Sequence, residues 1–233
     1  MRRHDSISVG AVRAYRGRIR WGALSATFLL ALSGCSGEDD KSMPGRPPGR
    51  ICDGTLNKSA ADSLRRLAGT GRFTELTGTN EVGEPNRFSL EKAASHLHKE
   101  TPERSRCTVY RADDDSGIPL IQIDFKAADR YPDREKTDQN QARKTVFYDI
   151  GAYASTKGND STSLYFRCQS SDGKENTEYV NAGMFSTGSK LKGSFKSSDR
   201  MNILNSVARH VATQLKCSDE AGLPVEVTEK EGE

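Results

Sequence analysis

The sequence is short of the side chains that build a generous core. Leu, Ile, Val and Phe account for 42 of 233 residues, about 18%, below the roughly 20% of a comfortable globular chain. Disorder would also require a high net charge, and that is missing too. The formal charge of +3 resides in residues 1–34, where Arg2, Arg3, Arg13, Arg16, Arg18 and Arg20 stand against the single acid Asp5. The remainder holds 29 basic and 31 acidic residues, a net of −2. Without excess positive charge there is no counterion release to exploit, and nucleic acid is excluded as a partner. The signatures of common chemistries are absent as well. There is no GxSxG elbow and no CxxC pair. No apolar run approaches the ~20 residues that span a bilayer of ~30 Å hydrocarbon. The composition describes one folded domain with a thin core that needs reinforcement.

What is present begins with an export signal. The Arg-rich stretch to Arg20 forms a positive n-region, and Trp21 to Leu32 a short apolar h-region. The small residues Ser33 and Gly34 precede Cys35. This is the signal-peptide pattern, over residues 1–34. Leu32-Ser33-Gly34-Cys35 resembles the lipobox of bacterial lipoproteins. That resemblance implies a diacylglyceryl group on the Cys35 thiol and cleavage that makes Cys35 the new N-terminus. The expected location is the extracytoplasmic face of the cell membrane, with contact to the membrane through the lipid on Cys35. Each buried CH₂ contributes ~0.8 kcal/mol, so two acyl chains hold where one is marginal. Residues 36–50 are polar and rich in Pro and Gly, with no hydrophobic periodicity. They read as a flexible tether.

Four cysteines follow the anchor: Cys52, Cys107, Cys168 and Cys217. An even count in an exported domain reads as two disulfides. Three connectivities are open; Cys52–Cys107 with Cys168–Cys217 is favoured because it staples each half separately. Closing loops of ~50 residues contributes on the order of 3–4 kcal/mol each.

Periodicity places the elements. Ser59 and Asp62 resemble a capping box for a helix over 59–68, with Ala60, Ala61, Leu64, Leu67 and Ala68 on one face and Gly69 ending it. Arg72 to Thr77 reads as a short strand. A second helix starts at Leu90 behind Ser89 and carries His96 and His98. Cys107 to Arg111 is a strand, followed by a turn at Asp113–Gly117. Ile121, Ile123 and Phe125 alternate with Gln122, Asp124 and Lys126, the clearest half-buried strand. Residues 129–144 read as a long polar loop. A strand is expected over 146–152, another over 164–168 after the turn at Gly158–Asp160, and another over 180–184 after Asp172-Gly173. Ile203, Leu204, Val207, Ala208, Val211, Ala212 and Leu215 form a wide amphipathic stripe that ends at Cys217. Residues 218–233 are acidic and read as a flexible tail. The expectation is one α+β domain over 51–217, an antiparallel sheet of five to six strands with helices on one face.

Ile51-Cys52-Asp53-Gly54-Thr55-Leu56, the Ala/Leu helix after it, Arg106-Cys107-Thr108-Val109, and the ending Ala208 to Cys217 together resemble uncharacterised actinobacterial envelope lipoproteins. Those proteins pair a Cys before the first helix with a Cys on a later strand. The resemblance implies no activity.

Candidate chemistry is sparse. His4 lies in the leader. His96 and His98 are two apart and point to different faces of a helix, whereas a metal pair needs i, i+4. His210 stands alone on the last helix. Ser89-Leu90-Glu91-Lys92 and Ser171-Asp172-Gly173-Lys174 spell SxxK, but no KTG element accompanies them. Asp113–Asp115 could offer carboxylates to Ca²⁺, yet Gly117 falls one position early for an EF-hand and no Glu closes the loop. Lys190, Lys192 and Lys196 around Phe195 could meet acidic lipid or wall polymer; a solvated loop is the simpler reading. No catalytic residue, metal or cofactor is assigned, and the chain is read as a non-enzymatic, lipid-anchored binding module of the cell envelope. Its partner would be another envelope protein or a wall polymer. A carrier or sensor of an amphiphilic small molecule, held between the sheet and the 203–215 stripe, is the alternative. An extracytoplasmic hydrolase would require one of His96, His98 or His210 to reach a nucleophile in the fold.

The anchor makes a direct prediction. Cys35→Ser should leave an uncleaved precursor or release the protein from the membrane fraction; unchanged processing and fractionation would rule out lipidation at this residue.

Overall fold

The computed structural model describes residues 45–139 and 144–228. The signal peptide, Cys35 and the tether as far as residue 44 lie outside the described residues. Among the described residues no helix is long and apolar enough to cross a membrane.

The fold is α+β, with a seven-stranded antiparallel sheet. The strands are β1 (Phe73–Glu75), β2 (Cys107–Arg111), β3 (Ile121–Ala128), β4 (Thr145–Tyr148), β5 (Tyr153–Lys157), β6 (Ser161–Ser171) and β7 (Asn176–Ser186). The helices are α1 (Lys58–Ala68), α2 (Leu90–Ser95), α3 (Arg134–Gln139), α4 (Ser197–Gln214) and α5 (Ser218–Ala221). The sheet order is β1-β2-β3-β7-β6-β5-β4. Two meanders, β1–β3 and β4–β7, therefore meet along β3 and β7, which pair from Ile121↔Ser186 to Ala128↔Tyr179.

Helix α4 lies against β5, β6 and β7, with α1 and α2 packed beside it. Strand alternation sends Val109, Ile121, Ile123, Phe125, Leu164, Phe166, Val180 and Ala182 into the core beneath these helices. The 203–215 stripe behaves as its pattern predicts: Ile203, Leu204, Val207, Ala208, Val211 and Ala212 are buried there too. Two disulfides, Cys52–Cys107 and Cys168–Cys217, reinforce this layer. Each joins a sheet strand to the chain flanking a helix, one in each meander.

Several boundaries differ from the sequence reading. α1 starts one residue early because Asn57, not Ser59, is the cap: its Oδ1 accepts the Ala60 N–H at 2.8 Å. The expected strand over 146–152 is β4 and the turn after it, and β5, which the sequence reading did not place, follows at Tyr153, which is why the sheet has seven strands rather than five or six. Gly151 adopts φ +58°, and a Cβ there would lie 2.5 Å from the Tyr165 carbonyl oxygen. The chain turns at a site only glycine fits, while burial of Tyr148 and Ile150 keeps the alternation intact across the turn. The long loop expected over 129–144 contains α3, anchored by Arg134, whose Nη1 donates to Asp149 at 3.1 Å and Nη2 to the Tyr148 carbonyl at 2.9 Å.

Neither end of the described chain is loose. The Arg46 N–H and C=O pair with Phe73 on β1, so the tether is docked from residue 45 onward. Past Cys217, α5 forms and Ala221 and Val227 are buried. Asn202 Oδ1 accepts the Val227 N–H at 2.9 Å and Asn205 Nδ2 donates to the Pro224 carbonyl at 2.8 Å. Side-chain amides on α4 thus satisfy a segment whose acidity read as a frayed tail.

The start of α4 holds a buried carboxylate. Asp199 accepts the Lys196 N–H at 2.9 Å, one half of a capping box. Its other oxygen receives Ser63 Oγ at 2.9 Å and both Nε and Nη2 of Arg66. Burial pushes this carboxyl upward, but the donors from Arg66, Lys196 and Ser63 outweigh it and hold Asp199 below the usual carboxylate range. A depressed carboxyl stabilises the fold above its unfolded pKa of about 4, and that stabilisation is lost as pH falls through the depressed value. Asp199→Asn should cost about 2 kcal/mol in urea unfolding at pH 7. The gap to the parent should narrow at pH 3; an equal cost at both pH values would show that charge is not what Asp199 contributes.

Candidate functional site

Strand β4 is one edge of the sheet, and the chain covering it does not fill the space beside it. A cavity of about 540 Å³ opens there, lined by Arg134 of α3, Val146 to Ile150, Ser197 at the first turn of α4, Pro224, and Glu226 to Thr228. Its volume falls in the range of small-molecule sites. Val146, Phe147, Ile150, Pro224 and Val227 give it an apolar wall. Tyr148 donates its hydroxyl to Ser197 Oγ at 2.9 Å, joining the edge strand to α4. The Arg134 guanidinium stands 5.6 Å from the Phe147 ring centroid, a cation–π contact. Lys144, Asp149 and Glu226 complete the polar rim. From Phe147 in the cavity wall an edge-to-face series continues through Tyr153 to Tyr165, with centroids 6.0 and 5.8 Å apart.

The cavity is not where the stripe over 203–215 suggested a ligand. The core side chains of that stripe are closed against the sheet, and the space lies at the opposite end of α4, beside Ser197. Sequence reading singled out none of the lining residues. They come from three stretches separated by about 50 and 27 residues, so no local spacing could reveal them.

The histidines separate in the fold. Helix α2 ends at Ser95, so His96 and His98 sit in the following turn rather than on the helix. His96 Nδ1 donates to the Glu103 carbonyl at 2.8 Å, and exposed His210 donates to its own helix at Ser206 O, 2.9 Å away. His98 is different: its Nε2 lies 3.0 Å from Ser170 Oγ on β6. Of the SxxK spellings, Ser89 caps α2 through Lys92 N–H. Ser171 and Asp172 both accept backbone N–H groups in the β6–β7 turn.

Two surface features read separately are one. Lys190 Nζ donates to Asp114 at 2.8 Å and to Ser116 at 2.6 Å, and these contacts hold Asp114 far below the usual carboxylate range. Arg111 engages Asp113. Two of the three carboxylates of the Asp113–Asp115 turn are thus paired with protein cations, and Lys190 is consumed in doing so. Lys192 and Gly193 dock by N–H donation to the Leu67 carbonyl, and Phe195 packs against the core. The backbone of the lysine segment is thus docked on α1, with the Lys192 and Lys196 side chains exposed.

Glu75 offers a third cluster. Its Oε1 accepts the Cys52 N–H at 3.0 Å and lies 3.9 Å from Cys107 Sγ. Cys52, Glu75 and Cys107 bring one ligand atom each within 4.8 Å of one another, but the two sulfurs are bonded to each other and offer no thiolate. Burial pushes the Glu75 carboxyl upward, against the opposing pull of the Cys52 N–H and of Arg46 and Arg87. A raised carboxyl favours the fold most at low pH, and that advantage is lost as pH rises through its folded value. Glu75→Gln keeps an acceptor for Cys52 and removes the charge. The variant should gain on the parent in thermal stability between pH 4 and pH 8; a gap that stays constant over that range would contradict a raised Glu75.

No family model, no curated protein and no solved structure matches this chain.

Proposed function

We propose that this chain is a lipid-anchored, extracytoplasmic binding module of the cell envelope, and that its ligand is a small amphiphilic molecule taken up at the β4 edge. The observation that carries the reading is the cavity of about 540 Å³ beside Ser197, with an apolar wall and a polar rim. A ligand's apolar body would lie along Val146, Ile150 and Val227. Its polar end would meet Ser197 and the charged rim of Lys144, Arg134 and Glu226. The lipobox and the n- and h-regions support the anchor on Cys35, and two disulfides suit an oxidising compartment. An envelope protein or wall polymer docking on the same rim is the other partner class for a binding module.

Native mass spectrometry of the protein extracted gently from its own membranes, compared with its denatured mass, tests both parts. The denatured mass should show cleavage at Cys35 and the acyl chains. The native ion should carry a small adduct that is lost on denaturation. Val146→Trp, which places an indole in the cavity mouth, should lose the adduct while keeping both disulfides. A bare acylated chain in the native ion would refute the small-ligand reading, and a retained second protein would replace it with protein docking.

A further inference from the structure

The β6–β7 hairpin contains a bulge. Arg167 pairs with Tyr179 and Ser170 with Thr177, so Cys168 and Gln169 together oppose Glu178. Bulges re-aim the side chains beside them. Here the bulge presents Ser170 to the turn after α2, where His98 Nε2 lies 3.0 Å from Ser170 Oγ. The Thr177 hydroxyl shares a 2.9 Å hydrogen bond with the same oxygen. Both halves of the contact are held firmly. Leu97, beside His98, is buried, and its carbonyl accepts the Ala127 N–H at 2.9 Å. Cys168, two residues before Ser170, is tied to Cys217. Ser170 and Thr177 line a groove of about 500 Å³ along this hairpin, together with Gln169 and Asn176.

We propose that Ser170 and His98 are the nucleophile and general base of an acyl-transfer site that hydrolyses small esters in this groove. A serine hydroxyl at its ordinary pKa is a weak nucleophile until an adjacent base accepts its proton. With the His98 proton on Nδ1, Nε2 is that acceptor. Ser170 Oγ bonds to the ester carbonyl carbon, the carbonyl π pair moves onto oxygen, and the hydroxyl proton passes to Nε2. Collapse breaks the bond to the alkoxy group, which takes the proton from Nε2 and leaves as the alcohol. Water then adds to the acyl-serine, gives its proton to Nε2, and the carboxylic acid departs as that proton returns to Ser170. The side-chain amides of Gln169 and Asn176 on the groove wall supply donors for the oxyanion. Asp172 on the same hairpin interacts with His98 through its charge. The groove is separate from the β4 cavity, and the proposal stands without the lipid anchor.

The same hydrogen bond would also serve as a plain pin between hairpin and α2 turn, so the test must read reactivity rather than stability. The full-length protein, purified from its membranes, is treated with a fluorophosphonate probe, which forms an Oγ–P bond at an activated serine with loss of fluoride. The expected result is one phosphonate per chain, mapped by fragmentation to Ser170 rather than Ser171. Labelling should vanish in Ser170→Ala and slow by about 100-fold or more in His98→Gln, the usual share of a general base. A non-reducing peptide map confirms both disulfides in each variant, and the label position in the parent needs no variant at all. An unlabelled parent, a label on another residue, or His98→Gln reacting at the parent's rate would each overturn the proposal.

Discussion

The fold depends on a seam. Two antiparallel meanders meet along β3 and β7, and eight residue pairs carry the ladder between them. Neither disulfide crosses that line: Cys52–Cys107 belongs to the first meander and Cys168–Cys217 to the second. The covalent staples therefore stiffen the halves, and non-covalent contacts unite them. Above the sheet, α1 from the first half packs on α4 from the second, and Asp199 ties the two helices through Ser63 and Arg66. Hydrogen bonds to a charged, buried carboxylate are worth more than neutral ones. The location of Asp199 matters because the apolar supply is thin and the joint between halves has no covalent backup.

Much of the fold was legible because local chemistry and global packing agree. The alternation of Ile121, Ile123 and Phe125 is set by a half-buried strand and survives in the structure as β3. Asp172-Gly173 supplies the turn of the β6–β7 hairpin, and the stripe over 203–215 is the buried side of α4. The favoured cysteine pairing followed from keeping each staple inside one half. The misreadings share a cause: tertiary contacts settled them. Gly151 turns the chain because the Tyr165 carbonyl leaves no room for a Cβ, and nothing nearby in sequence announces that neighbour. The segment after Cys217 looks like solvated tail by composition, yet it is held by Asn202 and Asn205, polar residues that a helical-wheel reading assigns to solvent.

The sites were less legible than the fold. The β4 cavity gathers Arg134, Val146, Ser197 and Val227, which no short window contains. Ser170 and His98 are 72 residues apart. They meet because a bulge shifts the β6 register after Arg167, and bulges leave no reliable trace in an alternation pattern that is already ending. The signals that did stand out, the Asp113–Asp115 turn and the lysines after Gly188, cancel one another in the Lys190–Asp114 pair.

The cavity itself follows from how the sheet ends. An exposed edge strand invites pairing with another chain, and proteins shorten or cover such edges. β1 is three residues long, and residue 46 lies along it; β4 is four residues long, and α3 and the 224–228 segment lie beside it. On the β1 side the cover is a backbone bridge between Arg46 and Phe73. On the β4 side it is built from side-chain contacts, the tip of Arg134 on the Tyr148 carbonyl and Asp149 and the tip of Tyr148 on Ser197. Shielding by tips rather than by a ladder blocks strand addition but leaves volume behind it, and in a chain with few large aliphatic residues nothing is spare to fill that volume. The scarcity that two disulfides and a buried carboxylate offset is the same scarcity that leaves a cavity at the sheet edge.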